Sequence, residues 1–314
     1  MSPDLDNVHL DDTISLMRSL PAGCAGLVVA DPPYNLKNDQ EFGVPLSYRD
    51  RDGWLRWSKE WIAEATRLLS PTGNLFVYGI HHFAAYIHVH LCDRGLTYRR
   101  QIIWHYENGW SRYTNGPACH YEPILWFSRS PKSTFHPIRE PYKSEARLKH
   151  KIIKNGKVWT PHPEGRLAGD VWRFPTLAGR RFEKEKVDHP TQKPLSLSMR
   201  IVEHFSNPGE LVVVPFVGSG TECVAAKVLG RHFIGAELNP GYVAIAKCRL
   251  SAVTFDEERV HGLFGGIGDH ERLAVRPRDK DSSAAEPIDV RVSGLGLKKG
   301  NKRGARATSG KIKR

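Results

Sequence analysis

The chain has 314 residues, 40% of them apolar, which is enough for one large α/β domain with a smaller inserted or appended region. No apolar stretch approaches the roughly 18 residues that span a bilayer, and the acidic start Met1-Ser2-Pro3-Asp4 lacks a signal-peptide pattern, so a soluble cytoplasmic protein with no membrane partner is expected. Five widely spaced cysteines without a Cys-x-x-Cys pair argue against disulfides and structural zinc, and the +12 formal charge is concentrated: residues 99–188 carry net +9 and 298–314 net +8, against −4 over 1–98 and −1 over 189–297, which points to a polyanion touching the middle segment and the tail.

Apolar side chains at Ile14, Leu16, Met17 and Leu20 predict a short helix, which Pro21-Ala22-Gly23 ends. The run Gly26-Leu27-Val28-Val29-Ala30 reads as a strand, and it delivers Asp31-Pro32-Pro33-Tyr34 to its C-terminal end. In open α/β sheets that end is where ligands bind. The group suits a flat base with an exocyclic amine: the ring stacks, while the Asp31 carboxylate and a neighbouring backbone carbonyl accept the amine hydrogens. Pro32, whose φ is fixed, helps hold the acceptors in place.

Residues 36–53 read as a polar loop. Trp54, Leu55, Trp57, Trp61, Ile62, Ala65, Leu68 and Leu69 fit an amphipathic helix, with the tryptophans read as core. Pro71-Thr72-Gly73 reads as a turn, Asn74–Ile80 as a second strand, His81-His82 as its polar edge, 82–92 as a helix and 96–105 as a further strand. From about 106 to 188 the pattern becomes irregular and aromatic, proline and basic residues alternate. A helix over 194–206 comes next, then a strand at 211–214 that ends in Pro215-Phe216-Val217-Gly218-Ser219-Gly220-Thr221. A helix at 222–229, a strand at 232–236, Glu237 and a helix over 241–253 complete the periodic part, and 256–314 reads as linker and basic tail, largely disordered.

The strand, Gly-Ser-Gly turn, helix, strand and acid form a nucleotide-type cradle. Gly218 and Gly220 let a ligand approach the backbone, the helix near Thr221 points its N–H groups inward, and Glu237 is placed to accept ribose hydroxyls. No lysine comes after the turn, which disfavours a triphosphate-binding loop.

The two motifs together resemble the β class of S-adenosylmethionine-dependent DNA amino-methyltransferases, of the adenine-N6 type. Asp31–Tyr34 matches the family's D-P-P-Y, and Pro215–Thr221 its glycine motif. Asp12 aligns with the acid of its G-D segment, His189–Pro194 with H-P-T-Q-K-P, and Gly235–Tyr242 with G-x-E-x-N-P-x-Y. The resemblance covers about residues 5–253. It implies a Rossmann-like α/β methyltransferase fold, circularly permuted, with the catalytic half at 1–105, an inserted target-recognition region at 106–188, and the cofactor-binding half at 189–255. It implies Asp31, Pro32, Pro33 and Tyr34 as catalytic residues. Asp12, Asp31, Lys193, Pro215, Phe216, Gly218, Ser219, Gly220, Thr221, Glu237 and Asn239 are its cofactor contacts, with no metal. Arg112, Lys143, Arg147, Lys149, Lys151, Lys154 and Lys157 are the candidate DNA contacts. The implied partner is double-stranded DNA whose target base flips out, with a homodimer and a cognate restriction endonuclease as further candidates.

One position departs from the family. Where relatives carry an acid ahead of the Pro-Phe, this chain has Val214, so the cofactor's methionine amine needs another carboxylate or a backbone carbonyl. Cytosine-N4 methylation and a non-catalytic DNA-binding protein on the same fold stay open as alternatives.

Overall fold

Short apolar runs such as 26–30 and 211–214 alternate with segments whose apolar positions recur every three or four, and in the computed structural model those runs become strands and the periodic segments helices. The structure describes residues 3–33, 51–79, 81–109, 116–144, 146–149 and 151–253. The expected loop at 36–53 and the tail from 256 lie almost wholly outside these residues. The elements are, in order, β1 (Asn7–Leu10), α1 (Thr13–Ser19), β2 (Ala25–Ala30), α2 (Arg51–Leu68), β3 (Leu69–Tyr78), α3 (His81–Asp93), β4 (Thr97–His105) and β5 (Tyr121–Ser128). Then come β6 (Arg139–Glu140), α4 (Ala146–Lys149), β7 (Ile152–Lys154), β8 (Lys157–Trp159), β9 (Arg166–Leu167) and β10 (Val171–Arg173). The last are α5 (Leu195–Phe205), β11 (Leu211–Val214), α6 (Thr221–Val228), β12 (His232–Glu237) and α7 (Pro240–Ser251).

Eight strands form one sheet in the order β1-β12-β11-β2-β3-β5-β4-β10. The first five are mutually parallel, β5 runs antiparallel between β3 and β4, and β10 lies parallel to β4. Alternation along β2 divides the core: Leu27 and Val29 face one layer with residues of α5, α6 and α7, while Val28 and Ala30 face the other with residues of α1, α2 and α3. A strand covered on both faces reads as a continuous apolar run, and all six residues of β2 are buried. Trp54, Trp57 and Trp61 sit in the second layer as core, as their helical spacing predicts.

Three readings of local structure change, and one strand was not foreseen. Pro71-Thr72-Gly73 is not a turn between elements but an irregular stretch within β3, where the register against β2 shifts between Ala25 and Leu27. His81-His82 opens α3 rather than ending a strand. The four-residue β1 carried no signal of its own. The interval 106–188 holds two strands of the main sheet, β5 and β10, besides the separate ribbons β6–β9 and β7–β8.

Phe205 closes the first layer against Phe76, Trp126, Phe135 and Trp172. Beneath it the buried Asn74 amide donates to the carbonyls of Thr134 (2.7 Å) and Phe205 (3.0 Å) and accepts from Trp126 Nε1 (2.9 Å). Phe205→Ala leaves a ring-sized void there and is expected to lower stability by about 3–5 kcal/mol. Urea unfolding followed by tryptophan fluorescence measures this; a change under about 1 kcal/mol means the site collapses freely and the packing account is wrong.

Candidate functional site

Parallel strands place their C-terminal ends at one edge, and that edge gathers the expected residues. β2 and β11 are hydrogen-bonded neighbours, with Val28 opposite Val213, so Asp31 and the Pro215–Gly220 turn emerge side by side. β12 flanks β11 and ends at Glu237, and β1 flanks β12 with Leu10 opposite Glu237, which brings Asp12 to the same edge. The Pro33 carbonyl accepts a hydrogen bond from Trp54 Nε1 at 2.7 Å, so a core tryptophan of α2 also anchors the Asp-Pro-Pro segment. Tyr34 and Arg112 lie outside the described residues, as does the side chain of Arg147.

Gly218 and Gly220 have φ of +50° and +81°, a region that L side chains rarely adopt. A Cβ on Gly218 would stand 2.9 Å from His189 Nε2, and one on Gly220 2.7 Å from Ala246 Cβ, so the turn has no room for a side chain at either position. Glu237 reaches back to it: its carboxylate accepts from the Gly218 N–H (2.9 Å) and the Asn239 N–H (2.8 Å). Burial pushes the Glu237 pKa up and these amide bonds hold it back. Asn239 and Asp12 are helix caps, accepting from Gly241 N (2.8 Å) and Ser15 N (2.9 Å) respectively. Phe216 packs its ring on Trp57 and Trp61, and Pro215 is buried beside it, so these two act as footings of the turn.

Arg249 of α7 was not singled out by the sequence. Its buried guanidinium donates to the Ser219 carbonyl (2.7 Å) and to Thr221 Oγ1 (2.9 Å), and Thr221 Oγ1 donates to the Lys193 carbonyl (3.3 Å). The glycine turn is thereby tied to the 189–194 segment.

Lys193, expected as a cofactor contact, meets Asp31 directly. Its side chain is 4% exposed, and its Nζ lies 2.9 Å from Asp31 Oδ2 and 3.6 Å from Glu122 Oε2, over the rings of Tyr78 and Trp104. Burial opposes the charge, but Asp31 and then Glu122 outweigh it, and the net shift is upward, so the ammonium stays protonated. Glu222, one position into α6 and wholly buried, accepts from Ser198 Oγ at 3.0 Å; burial first, and then the Asp31 charge, raise its pKa. Val214 points into the apolar core. Glu122 came from the irregular interval, where nothing marked it.

Lys143, Lys149, Lys151, Lys154 and Lys157 are all exposed. The last three belong to the β7–β8 ribbon or its immediate approach, whose tip is Asn155-Gly156 with φ of +52° and +69°, the pattern of a type I′ hairpin turn. No helix among the described residues is long and apolar enough to cross a membrane.

The family described as DNA methylase matches residues 25–248. Type II methyltransferase M1.MboII of Moraxella bovis is 35% identical, over 76% of this chain and 94% of its own length. DNA adenine methyltransferase YhdJ of Escherichia coli K12 is 30% identical, over 77% of this chain and 82% of its own. Among solved structures, the M1.HpyAVI–SAM complex superposes with a TM-score of 0.51 at 25% identity, covering 77% of this chain and 98% of that one.

His189 packs on Tyr242 and borders Gly218. Burial, with Lys193 and Arg249 adding to it and Asp31 opposing, lowers its pKa to about 4. The folded ring is therefore neutral at pH 7, and because an unfolded imidazole titrates near 6.5 its contribution to stability is complete above pH 6.5 and is lost as the pH falls through 4. Imidazole proton NMR, with the signal assigned through His189→Gln, is expected to give a midpoint near 4; a midpoint above about 6 rules out the buried neutral ring.

Proposed function

The chain belongs to the DNA methylase family, and from that premise we propose that it is a site-specific DNA methyltransferase that uses S-adenosylmethionine to methylate the N6 amine of adenine in double-stranded DNA. The observation that carries the reading is the adjacency of Asp31 and the Gly218–Thr221 turn on neighbouring parallel strands.

The residues at this edge fit the cofactor. Asp31 and Glu122 flank the single Lys193 ammonium, two carboxyl groups against one cation, which suits a cationic ligand. Gly218 and Gly220 admit a group against the backbone, and each Glu237 oxygen keeps acceptor capacity beyond its one amide bond. In this reading Asp12, Glu237 and Asn239 hold the nucleoside end, with Gly218, Ser219, Gly220 and Thr221 lining the approach on the footing of Pro215 and Phe216. Lys193 and Asp31 border the methionine end, and Glu222 is the carboxylate offered in place of the acid missing at Val214. S-adenosylmethionine supplies, when bound, an electrophilic methyl carbon.

The chain's own residues supply positioning. An aromatic amine is a poor nucleophile because its lone pair is delocalised into the ring. Asp31 and the Pro32 carbonyl accept its two hydrogens, which favours a pyramidal nitrogen, and Pro33, held by Trp54, keeps that pair of acceptors in register. Tyr34 stacks on the base. Inside a duplex the amine cannot reach this edge, so the adenine is flipped out. The order of the two motifs along the chain supports the permuted form of the fold, with 1–105 and 189–255 as its two halves. Of 106–188, the part outside the main sheet presents the exposed lysines of α4 and the β7–β8 ribbon, and supports DNA recognition there. The type II relatives alone support a cognate restriction endonuclease as partner.

Nucleoside mass spectrometry of DNA from cells expressing the chain is expected to find N6-methyladenine; N4-methylcytosine alone, or no modified base, overturns the assignment. Asp31→Ala should lower turnover at least about 1000-fold while calorimetry gives a cofactor dissociation constant within a few-fold of the parent. Replacing Lys154 and Lys157 together by alanine should weaken binding to all DNA sequences alike and reduce the slope of log K against log salt by roughly 2; an unchanged slope takes the ribbon out of the DNA contact.

A further inference from the structure

We infer that Lys193 and Glu122 are positioning residues for Asp31: the ammonium ties down one carboxylate oxygen, and Glu122 in turn fixes the ammonium. This rests on the methyltransferase reading and goes beyond it, because that reading only places Lys193 at the border of the methionine end and counts Glu122 toward the local charge.

The three groups come from three separate parts of the sheet edge. Asp31 lies just past β2, Glu122 stands near the start of β5, and Lys193 lies in the segment before α5. Because β5 is antiparallel, its N-terminal end shares an edge with the C-terminal ends of its neighbours, and Glu122 pairs with Trp104 at the end of β4. Lys193 fills the space between, with its Nζ 2.9 Å from Asp31, 3.6 Å from Glu122, and 5.1 and 5.9 Å from the Tyr78 and Trp104 ring centroids. Its own backbone carbonyl is held by Thr221, which Arg249 fixes, so both ends of the residue are restrained.

A buried ion pair of this kind is a poor device for stability, since an apolar side chain of similar volume often serves as well or better. It is a good device for orientation. A carboxylate rotates about its Cβ–Cγ bond and offers about four acceptor positions; a fixed ammonium on one oxygen selects one rotation and aims the remaining acceptors. Asp31 acts by geometry, so a rotation that moves the amine by about 1 Å costs on the order of 100-fold in rate. Glu122 touches the ammonium rather than the reacting atoms, so its influence passes through Lys193.

The test is a cycle of variants on the full chain, with cofactor affinity read by calorimetry and kcat by single-turnover methylation. Lys193→Met is expected to lower kcat about 100-fold with the cofactor dissociation constant within about threefold, Lys193→Arg to restore most of the rate, and Glu122→Gln to lower kcat about tenfold. The double variant Glu122→Gln/Lys193→Met should be no slower than Lys193→Met alone, the signature of one residue acting through another. Cofactor affinity lost in parallel with rate makes Lys193 a cofactor ligand and overturns the inference, as does a Glu122→Gln penalty that adds in full. If Lys193→Met does not fold, Lys193→Arg and Glu122→Gln decide the matter alone. A readout independent of activity separates this inference from the reading beneath it. The Lys193 ammonium should give a slowly exchanging 15N signal that Glu122→Gln and Asp31→Asn both speed up. That signal in a chain that methylates no DNA would leave the pairing standing and sink the proposed function; methylation with no such signal would do the reverse.

Discussion

The parallel pairing of β11 against β2 is the constraint on which everything else depends. Val28 and Val213 are about 185 positions apart in the chain and lie side by side in the sheet. Because the two strands run the same way, the loops at their C-terminal ends emerge at the same edge. An antiparallel pairing of the same two strands would have put Asp31 and the glycine turn at opposite ends of the molecule. The loop residues supply the chemistry, but strand direction decides that they meet.

Once they meet, electrostatics shapes the edge. A lysine with almost no solvent contact stays charged because two carboxylates stand within 4 Å of it. Tyr78 shares this setting: burial, followed by Glu222 and Asp31, drives its phenol well above the ordinary range, so it remains a neutral ring beneath the ammonium. His189, on the glycine side, is neutral for the converse reason.

Much of this was legible in the sequence. Strands buried on both faces announce themselves as unbroken apolar runs, so β2 and β11 were readable, and so were the turn glycines and the helices with a strong apolar stripe. Other parts were not legible for identifiable reasons. β1 is four residues long and two of them are Asn7 and His9, too short and polar to signal a strand. β5 hid because Tyr121, Glu122 and Pro123 break its apolar run and its neighbours in sequence are irregular. The Lys193–Asp31 contact joins loops some 160 positions apart, and no periodicity reports which loops touch. Arg249 looked like an ordinary polar residue of α7 because the helix is only weakly amphipathic, and its role depends on what lies beneath the turn.

The long gap between β2 and β11 also bears on how the chain comes off the ribosome. β2 finds its β3 partner within the next 50 or so residues, but its other edge waits for residues 211–214, about 180 residues after β2 itself. At ordinary translation rates that interval lasts roughly 10 to 40 s. For that time six apolar residues present unpaired backbone groups, a template for pairing with any other nascent strand. The same topology that assembles the site therefore makes the unfinished polypeptide a natural client for chaperones that shield strand edges during synthesis.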